Sequence, residues 1–127
     1  MVRVFFLIAG ISGFLSVGIG AFAAHGLKKI LTPEMIETVK TAAQYQMYHA
    51  LALLVIALLL VQKPSVRGLK ASGWAFILGT LMFSGSLYSL ALGGPRLLGP
   101  ITPLGGLCFL IGWILLAISG WRMKASS

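Results

Sequence analysis

Acidic residues are nearly absent from this chain of 127 residues, which has two carboxylate side chains against ten lysines and arginines. Charged residues of both signs make up 9% of the sequence, whereas soluble domains typically contain about 25%. A soluble fold of this size must cover its surface with polar groups, so the composition excludes soluble globular and disordered proteins. Hydrophobic residues make up 58% and the mean hydropathy is +0.99, which indicates an integral membrane protein.

Cysteine is almost missing as well, since Cys108 is the only one. One cysteine cannot form an intrachain disulfide, a CxxC redox pair or a cysteine-rich metal site. This excludes a four-helix thiol oxidoreductase that works with quinones. We therefore expect no cofactor.

The net charge of +8 would suggest a nucleic-acid partner if the protein were soluble. Here the basic residues stand singly or in small groups beside apolar runs, and few aromatic residues lie among them. Such placement is typical of residues that flank membrane spans. The expected partner is the lipid bilayer, and no nucleic acid.

Four apolar runs are long enough to cross a bilayer, which takes about 20 residues per helix. Runs such as 51–61 do not alternate as the strands of a β-barrel would. The sequence therefore predicts one all-α domain, residues 1–127, that forms a polytopic membrane bundle of four transmembrane helices with an amphipathic helix in the first loop. The spans are predicted at about 4–24, 43–61, 72–92 and 103–121, and the amphipathic segment at about 33–42.

The start of the amphipathic segment carries a helix signal. Thr32, Pro33 and Glu34 are typical of an N-cap, a first helical residue and an acid in the first turn. A helix is predicted to begin there, and it either ends before the second span or continues into it.

The first apolar run imitates a secretory signal, because Ala21-Phe22-Ala23 resembles a cleavage site. However, the run has about 20 residues, more than the 7–15 of a signal core. It also carries small residues at helical spacing, Ala9, Gly13, Ser16, Gly20 and Ala23. We expect the run to be retained as the first span.

Small residues recur in the fourth span too, seven residues apart, as Gly105, Gly112 and Ser119. Lipid gives helices no hydrophobic reason to associate, so small residues that allow close backbone approach provide much of the attraction. These two faces predict tight helix packing. For the first span, the packing partner is either this chain or another protomer.

Lysine and arginine residues divide unequally between the two sides of this topology. Six fall on the side of the termini, namely Arg3, Lys63, Arg67, Lys70, Arg122 and Lys124. Four fall on the opposite side, namely Lys28, Lys29, Lys40 and Arg96. The positive-inside rule therefore predicts that both termini lie in the cytoplasm.

Polar side chains of the second and third spans gather in one half of the membrane. Measured from the short loop between these spans, His49 and Ser84 both lie thirteen residues, or roughly 20 Å, into the bilayer. Tyr45 and Tyr88 lie about 26 Å from the same loop. Because unpartnered polar groups in hydrocarbon cost several kcal/mol, we expect these helix faces to turn toward one another.

A candidate binding site follows from this layer. His49 is its predicted centre, the hydroxyls of Tyr45 and Tyr88 are its predicted partners, and the serines are short-range donors and acceptors. An ionisable residue inside a membrane is a functional hypothesis by default. The candidate ligand-binding residues are His25, Tyr45, His49, Ser84, Ser86 and Tyr88.

Four motifs stand in a distinctive order: Ala24-His25-Gly26-Leu27, Tyr45 with His49-Ala50-Leu51, Phe83-Ser84-Gly85-Ser86-Leu87-Tyr88, and Thr102-Pro103-Leu104-Gly105-Gly106. Together they resemble the YgdD-like family of small four-span bacterial inner-membrane proteins, which has eukaryotic relatives. The resemblance covers nearly the whole chain. It implies a multi-pass protein of the inner (plasma) membrane, and it implies no reaction, substrate or cofactor.

The expected role is that of a non-catalytic membrane protein. Its polar layer would bind a small ligand or a lipid headgroup, or hold a membrane partner, as a homo-oligomer or as an accessory subunit of a larger complex. Two alternatives remain. The layer is a purely structural hydrogen-bond cluster, or the protein is a small-molecule transporter in which His49 carries the proton.

Metal binding and catalysis are weaker hypotheses. His25 and His49 supply two ligands, whereas structural zinc sites usually have four protein ligands. An enzyme with His49 as base and Ser84 or Ser86 as nucleophile would lack a carboxylate in the spans to orient the histidine.

Overall fold

Four long helices make up most of the computed structural model, which describes residues 1–123. They are α1 (Val2–His25), α2 (Pro33–Gln62), α3 (Leu69–Ala91) and α4 (Ile101–Arg122). Each is long and apolar enough to cross a membrane, and the described residues include no strand. The predicted all-α fold with four membrane-spanning helices is confirmed. Lys124, which the count of basic residues includes, lies outside the described residues.

Helix α2 begins where the sequence predicts a helix start. The Thr32 side chain accepts a hydrogen bond from the backbone nitrogen of Met35 at 3.2 Å, and Pro33 is the first helical residue. The helix then runs without a break for 30 residues, about 45 Å, whereas the hydrocarbon core of a bilayer is about 30 Å thick. The amphipathic segment 33–42 is therefore the first part of α2, which continues into the second span.

The apolar side of this extension is buried against the ends of its neighbours. Ile36 and Val39 pack with Ala23 at the end of α1, with Leu27 in the following turn, and with Ala91 at the end of α3. Burial of these side chains fixes the start of α2 against the bundle. The charged side chains of the segment remain exposed on its other face.

Neighbouring helices in the chain pack side by side, α1 on α2, α2 on α3, and α3 on α4. Aromatic side chains add contacts between helices two apart. Phe5 of α1 meets Trp74 of α3 with ring centroids 5.5 Å apart, and Phe109 of α4 stacks on His49 of α2. The second of these contacts forms the centre of the candidate site.

The predicted glycine face of α4 packs tightly on α3. A Cβ atom added to Gly105 would lie 2.8 Å from Cα of Phe83 and closer still to its backbone nitrogen. A Cβ at Gly112 would lie 2.6 Å from the ring of Phe76. Glycine is required at Gly105 because backbone atoms face it, whereas a side chain at Gly112 would fit only if the Phe76 ring shifted.

The predicted small-residue face of α1 is only partly packed within the chain, because a Cβ added at Gly13 or Gly20 would meet nothing within 4 Å. Ala9, Ser16 and Ala23 of this face are buried, and the Ser16 hydroxyl donates a hydrogen bond to the backbone oxygen of Ala43 in α2 at 2.6 Å. This bond ties the two helices together where their backbones approach.

The turn between α2 and α3 is held to the end of α4. Gly68 adopts a positive φ of 98°, a conformation that side-chain-bearing residues rarely take. The carbonyl oxygen of the preceding Arg67 accepts hydrogen bonds from Ser119 at 3.0 Å and from Arg122 at 3.4 Å. We call this end of the bundle, which also contains the start of α1, the terminal end, and the opposite end the loop end.

Candidate functional site

Tyr88, predicted as a partner of His49, instead bonds to a glutamine. Its hydroxyl donates to Oε1 of Gln46 at 2.6 Å, and Nε2 of Gln46 donates to the backbone oxygen of Ser12 at 3.1 Å. Gln46 lies one helical turn from His49 and bonds to both α1 and α3, so the chain of bonds runs from α3 through α2 to α1. The expected hydrogen bond between Tyr88 and His49 is wrong for this reason.

The two predicted serines link helices. Ser84 is buried and its hydroxyl donates to the backbone oxygen of Ala42 at 2.8 Å, which joins α3 to α2. Ser86 shares a hydrogen bond with the hydroxyl of Thr102 and donates to the backbone oxygen of Phe83 at 3.0 Å. Among the described residues, no buried side-chain nitrogen or oxygen lacks a partner. The hydroxyls of Ser84 and Ser86 therefore form hydrogen bonds that stabilise the helix bundle.

His49 is 5% exposed, and both of its ring nitrogens have partners. Nδ1 lies 2.7 Å from the backbone oxygen of Tyr45, and Nε2 lies 3.1 Å from Nε1 of Trp113. A carbonyl can only accept and an indole N–H can only donate, so the imidazole is neutral with its hydrogen on Nδ1. Tyr45 thus supplies its carbonyl, and not the expected hydroxyl, to the histidine.

Aromatic rings surround this imidazole. Phe109 stacks on it with centroids 3.5 Å apart and planes 4° from parallel, and Phe76 lies at 5.3 Å. Trp113 meets it edge to face at 5.8 Å. Aromatic pairs of this kind contribute about 0.5–1.5 kcal/mol each beyond the area they bury. The histidine therefore belongs to the contact between α2 and α4.

A groove opens beside this contact, between α2 and α4, with a volume of about 810 Å³. We call it the α2–α4 groove. Its walls are almost entirely apolar or aromatic, and Gly106 leaves space on the α4 side, since its nearest neighbour across the helix contact is Phe83 at 4.0 Å from an added Cβ. The lining residues are Tyr45, Tyr48, His49, Leu51, Phe83, Pro103, Gly106, Leu107, Phe109, Leu110 and Trp113.

Two tyrosines line the groove toward the loop end. Tyr45 is 39% exposed, its ring lies 4.9 Å from that of Phe83, and its hydroxyl has no hydrogen-bond partner among the described residues. Tyr48 is 48% exposed, and its hydroxyl accepts a hydrogen bond from Nε2 of Gln44. The groove thus combines a long apolar wall with two partly exposed tyrosines.

His25 does not join this site. It ends α1 as an exposed residue and does not line the α2–α4 groove. His49 has no free lone pair for a metal, since Trp113 occupies Nε2 and Nδ1 carries the hydrogen. The described residues contain no group of three or more histidine, cysteine or acidic side chains that could hold a metal ion.

Sequence reasoning missed Trp113, Phe109 and Phe76 as neighbours of His49. One signal was available, because tryptophans of membrane proteins concentrate at the two interfaces, whereas Trp113 lies near the middle of α4. A buried indole N–H in hydrocarbon needs an acceptor. Among the side chains of the spans, an imidazole nitrogen is a suitable one.

Comparison with known proteins places the chain among membrane proteins. The family described as "Protein of unknown function (DUF423)" matches residues 19–106. The UPF0382 membrane protein YwdK of Bacillus subtilis (strain 168) is 40% identical over 117 residues, which cover 92% of this chain and 95% of the relative. The UPF0382 membrane protein of Haemophilus influenzae is 42% identical over 118 residues, which cover 93% and 94%.

A third relative is the UPF0382 inner membrane protein YgdD of Escherichia coli (strain K12). It is 40% identical over 122 residues, which cover 96% of this chain and 92% of the relative. The resemblance to the YgdD-like family is thereby confirmed. No solved structure matches the chain significantly. Given the family match over most of the chain and the relatives that align along nearly all of it, this protein belongs to the DUF423 family, whose named relatives are UPF0382 membrane proteins.

Proposed function

We propose that this protein is a non-catalytic protein of the inner membrane that binds an amphiphilic lipid in the α2–α4 groove. The hydrocarbon chain lies along the aromatic and aliphatic wall, and the polar group lies toward the loop end, where the hydroxyls of Tyr45 and Tyr48 are. The observation that carries the proposal is the groove itself, a concave aromatic surface of about 810 Å³.

The size and chemistry of the groove support this ligand class. Binding sites for small molecules typically have volumes of about 300–1,000 Å³ and apolar linings with a few polar groups that orient the ligand. Apart from the two tyrosine hydroxyls, the polar atoms near the groove are those of His49 and Trp113, which already bond to each other. The deep part of the groove therefore favours hydrocarbon, and the loop-end part favours a hydrogen-bonding group.

The binding role narrows the predicted set of residues. Tyr45 and His49 line the groove, whereas Ser84, Ser86 and Tyr88 bond to neighbouring helices and act in our proposal as structural residues. His25 has no part in it. The purely structural alternative thus applies to Ser84, Ser86 and Tyr88, and the binding hypothesis applies to Tyr45 and His49.

The hydrogen bond from Trp113 weighs against the transporter alternative. Protonation of His49 would place a second N–H opposite the indole N–H, so the contact would be lost and the donor of the indole left without its acceptor. A histidine that cycled its proton would have to break this bond in every cycle.

A pair of matched glycine variants tests the proposal. Gly106→Leu places a side chain in the groove, and Gly10→Leu adds the same side chain to α1 at an exposed position where an added Cβ meets nothing within 4 Å. Each protein is incubated in detergent with a single-chain C16 lysophospholipid, and bound lipid is counted by native mass spectrometry. We expect wild type and Gly10→Leu to hold the lipid and Gly106→Leu to lose most of it.

Two outcomes contradict the proposal. One is a wild-type protein that holds no lysophospholipid, and the other is a Gly106→Leu variant that holds as much as Gly10→Leu. Thermal unfolding of both variants in the same detergent checks that loss of lipid does not reflect loss of fold.

We also propose that both termini face the cytoplasm. The support is the clustering of Arg3, Lys63, Arg67, Lys70 and Arg122 at the terminal end, which the positive-inside rule places in the cytoplasm. A carboxy-terminal fusion to green fluorescent protein should fluoresce, and a fusion to alkaline phosphatase should be inactive. The reverse pattern would refute this orientation.

A further inference from the structure

The terminal end of the bundle contains a second cavity, of about 560 Å³, between the start of α1, the end of α2 and the start of α3. Two basic side chains line it, Arg3 from α1 and Lys70 from α3. Its remaining lining is apolar and includes Leu60 near the end of α2 and Pro64 in the turn that follows. Two cations from different helices thus face one space that has an apolar wall.

No acidic side chain is available to neutralise these cations. The chain has only Glu34 and Glu37, and both lie in the first turns of α2, at the loop end. Glu37 already pairs with Lys40 at 3.7 Å. The first turns of α1 and α3 contain no acidic residue either. Two cations with no acidic side chain beside them give the cavity a positive potential, which attracts an anion.

The chemistry of the lining identifies the class of anion. Arginine and lysine are the side chains that proteins use for phosphate groups, arginine through its fork of N–H donors and lysine as a point charge. The cavity lies at the end of three membrane-spanning helices, where the phosphates of lipid headgroups are found. The apolar wall beside the two cations suits the first carbons of an acyl chain.

We propose that this cavity is a binding site for an anionic phosphate group, held by Arg3 and Lys70. It is separate from the α2–α4 groove, with which it shares no lining residue. The phosphate is supplied either by an anionic phospholipid of the surrounding leaflet or by a free phosphate. The apolar wall favours the phospholipid.

A charge-matched pair of double variants tests the site. Arg3→Gln with Lys70→Gln removes both cations from the cavity, and Lys28→Gln with Lys29→Gln removes two exposed cations from the loop end. Both variants have the same net charge, so any nonspecific electrostatic attraction to anionic lipid is weakened equally in both, relative to wild type. Circular dichroism confirms that each variant keeps its helices.

Binding is measured by native mass spectrometry with phosphatidylglycerol, and by thermal shift with inorganic phosphate. A basic residue near an anionic membrane surface contributes about fivefold in affinity, so we expect the Arg3/Lys70 variant to bind about 25-fold more weakly than wild type. The Lys28/Lys29 variant should bind like wild type. Selective loss of phosphatidylglycerol identifies a lipid site, and selective loss of the phosphate-induced shift identifies a site for the free ion.

The proposal is overturned if the two double variants lose phosphatidylglycerol and phosphate equally, or if wild type binds neither. Because neither pair of substitutions changes a lining residue of the α2–α4 groove, lipid bound in that groove contributes equally to both variants, and the difference between the two variants reports on this cavity alone.

Discussion

Helix α4 contacts its two neighbours in opposite ways. Toward α3 it presents Gly105 and Gly112, and the facing atoms of Phe83 and Phe76 leave no space for a Cβ. Phe109 and Trp113, whose rings also touch α3, reach across to the imidazole of His49 on α2 and leave a groove of about 810 Å³ beside them. One contact is close-packed backbone, and the other is an aromatic contact with space next to it.

This difference shows how a small membrane protein can be tightly packed in one helix contact and still contain a groove beside another. Without a hydrophobic force between helices, close approach at glycines supplies the dispersion energy that holds α4 in place. Because α3 provides the close backbone packing of α4, the side facing α2 does not have to be filled. A cavity is thus compatible with a stable bundle, and it lies where a lipid can enter it.

The largest effect that we predict concerns adjacent glycines. Gly105→Ala should destabilise the protein by about 3 kcal/mol, because the new methyl group meets backbone atoms of Phe83 that cannot move aside. Gly106→Ala, one residue further along, should change stability by no more than about 0.5 kcal/mol, since its Cβ has room. Unfolding by SDS in mixed micelles measures both. Equal losses would mean that the two faces of α4 do not differ as described.

A smaller loss is expected from the α3 side of the same contact. A Cβ added at Gly79 would lie 2.7 Å from Cε1 of Phe109, closer still to Cδ1 of the same ring, and 3.1 Å from the backbone oxygen of Gly105. A ring can shift where a backbone cannot, so Gly79→Ala should cost about 2 kcal/mol and push Phe109 toward His49. The same SDS titration gives the cost, and a variant as stable as wild type would contradict the close packing of α3 on α4.

The aromatic contact should be weaker than the glycine contact. Trp113→Phe keeps a ring in place but removes the hydrogen bond to Nε2 of His49, and we expect a loss of about 1 kcal/mol, within the range measured for interhelical bonds in membranes. A double-mutant cycle with His49→Phe isolates this bond. A coupling energy of zero would show that the indole and the imidazole do not interact.

The smallest effect should come from the accessible hydroxyl in the groove. Tyr45→Phe should leave stability within about 0.5 kcal/mol of wild type and weaken binding of the lysophospholipid, because this hydroxyl has no partner among the described residues. Tyr88→Phe should cost about 1 kcal/mol, since it removes the bond to Gln46. If Tyr45→Phe were the more destabilising of the two, the division into binding and structural hydroxyls would be wrong.

Much of the fold was predictable from local sequence patterns. Apolar runs of membrane length predict the four spans, and Thr32 with Pro33 predicts the start of α2. The spacing of Gly105 and Gly112 predicts a packing face on α4. Each of these signals depends on neighbours within one helix, which is why it can be read without knowledge of the rest of the chain.

The candidate site was predictable only in part. The depth of each residue along its helix correctly predicted that the polar residues of α2 and α3 share one half of the bundle. The same calculation selected Tyr45 and His49, which line the groove. Depth alone did not predict how each helix is rotated about its own axis. Gln46 and His49 are three residues apart, yet the first faces Tyr88 and the second faces Trp113, 64 residues further along the chain.

The sequence by itself determined that this is a four-span membrane protein, because it contains four apolar segments long enough to cross a bilayer. Unpaired backbone polar groups are costly in hydrocarbon, so each such segment must form a helix, which pairs these groups internally. Only the tertiary structure decided which side chains share a hydrogen bond and where space is left unfilled. Those outcomes depend on how α4 packs on α3 and on which of its side chains then reach α2, and both are properties of the assembled bundle that no single helix encodes.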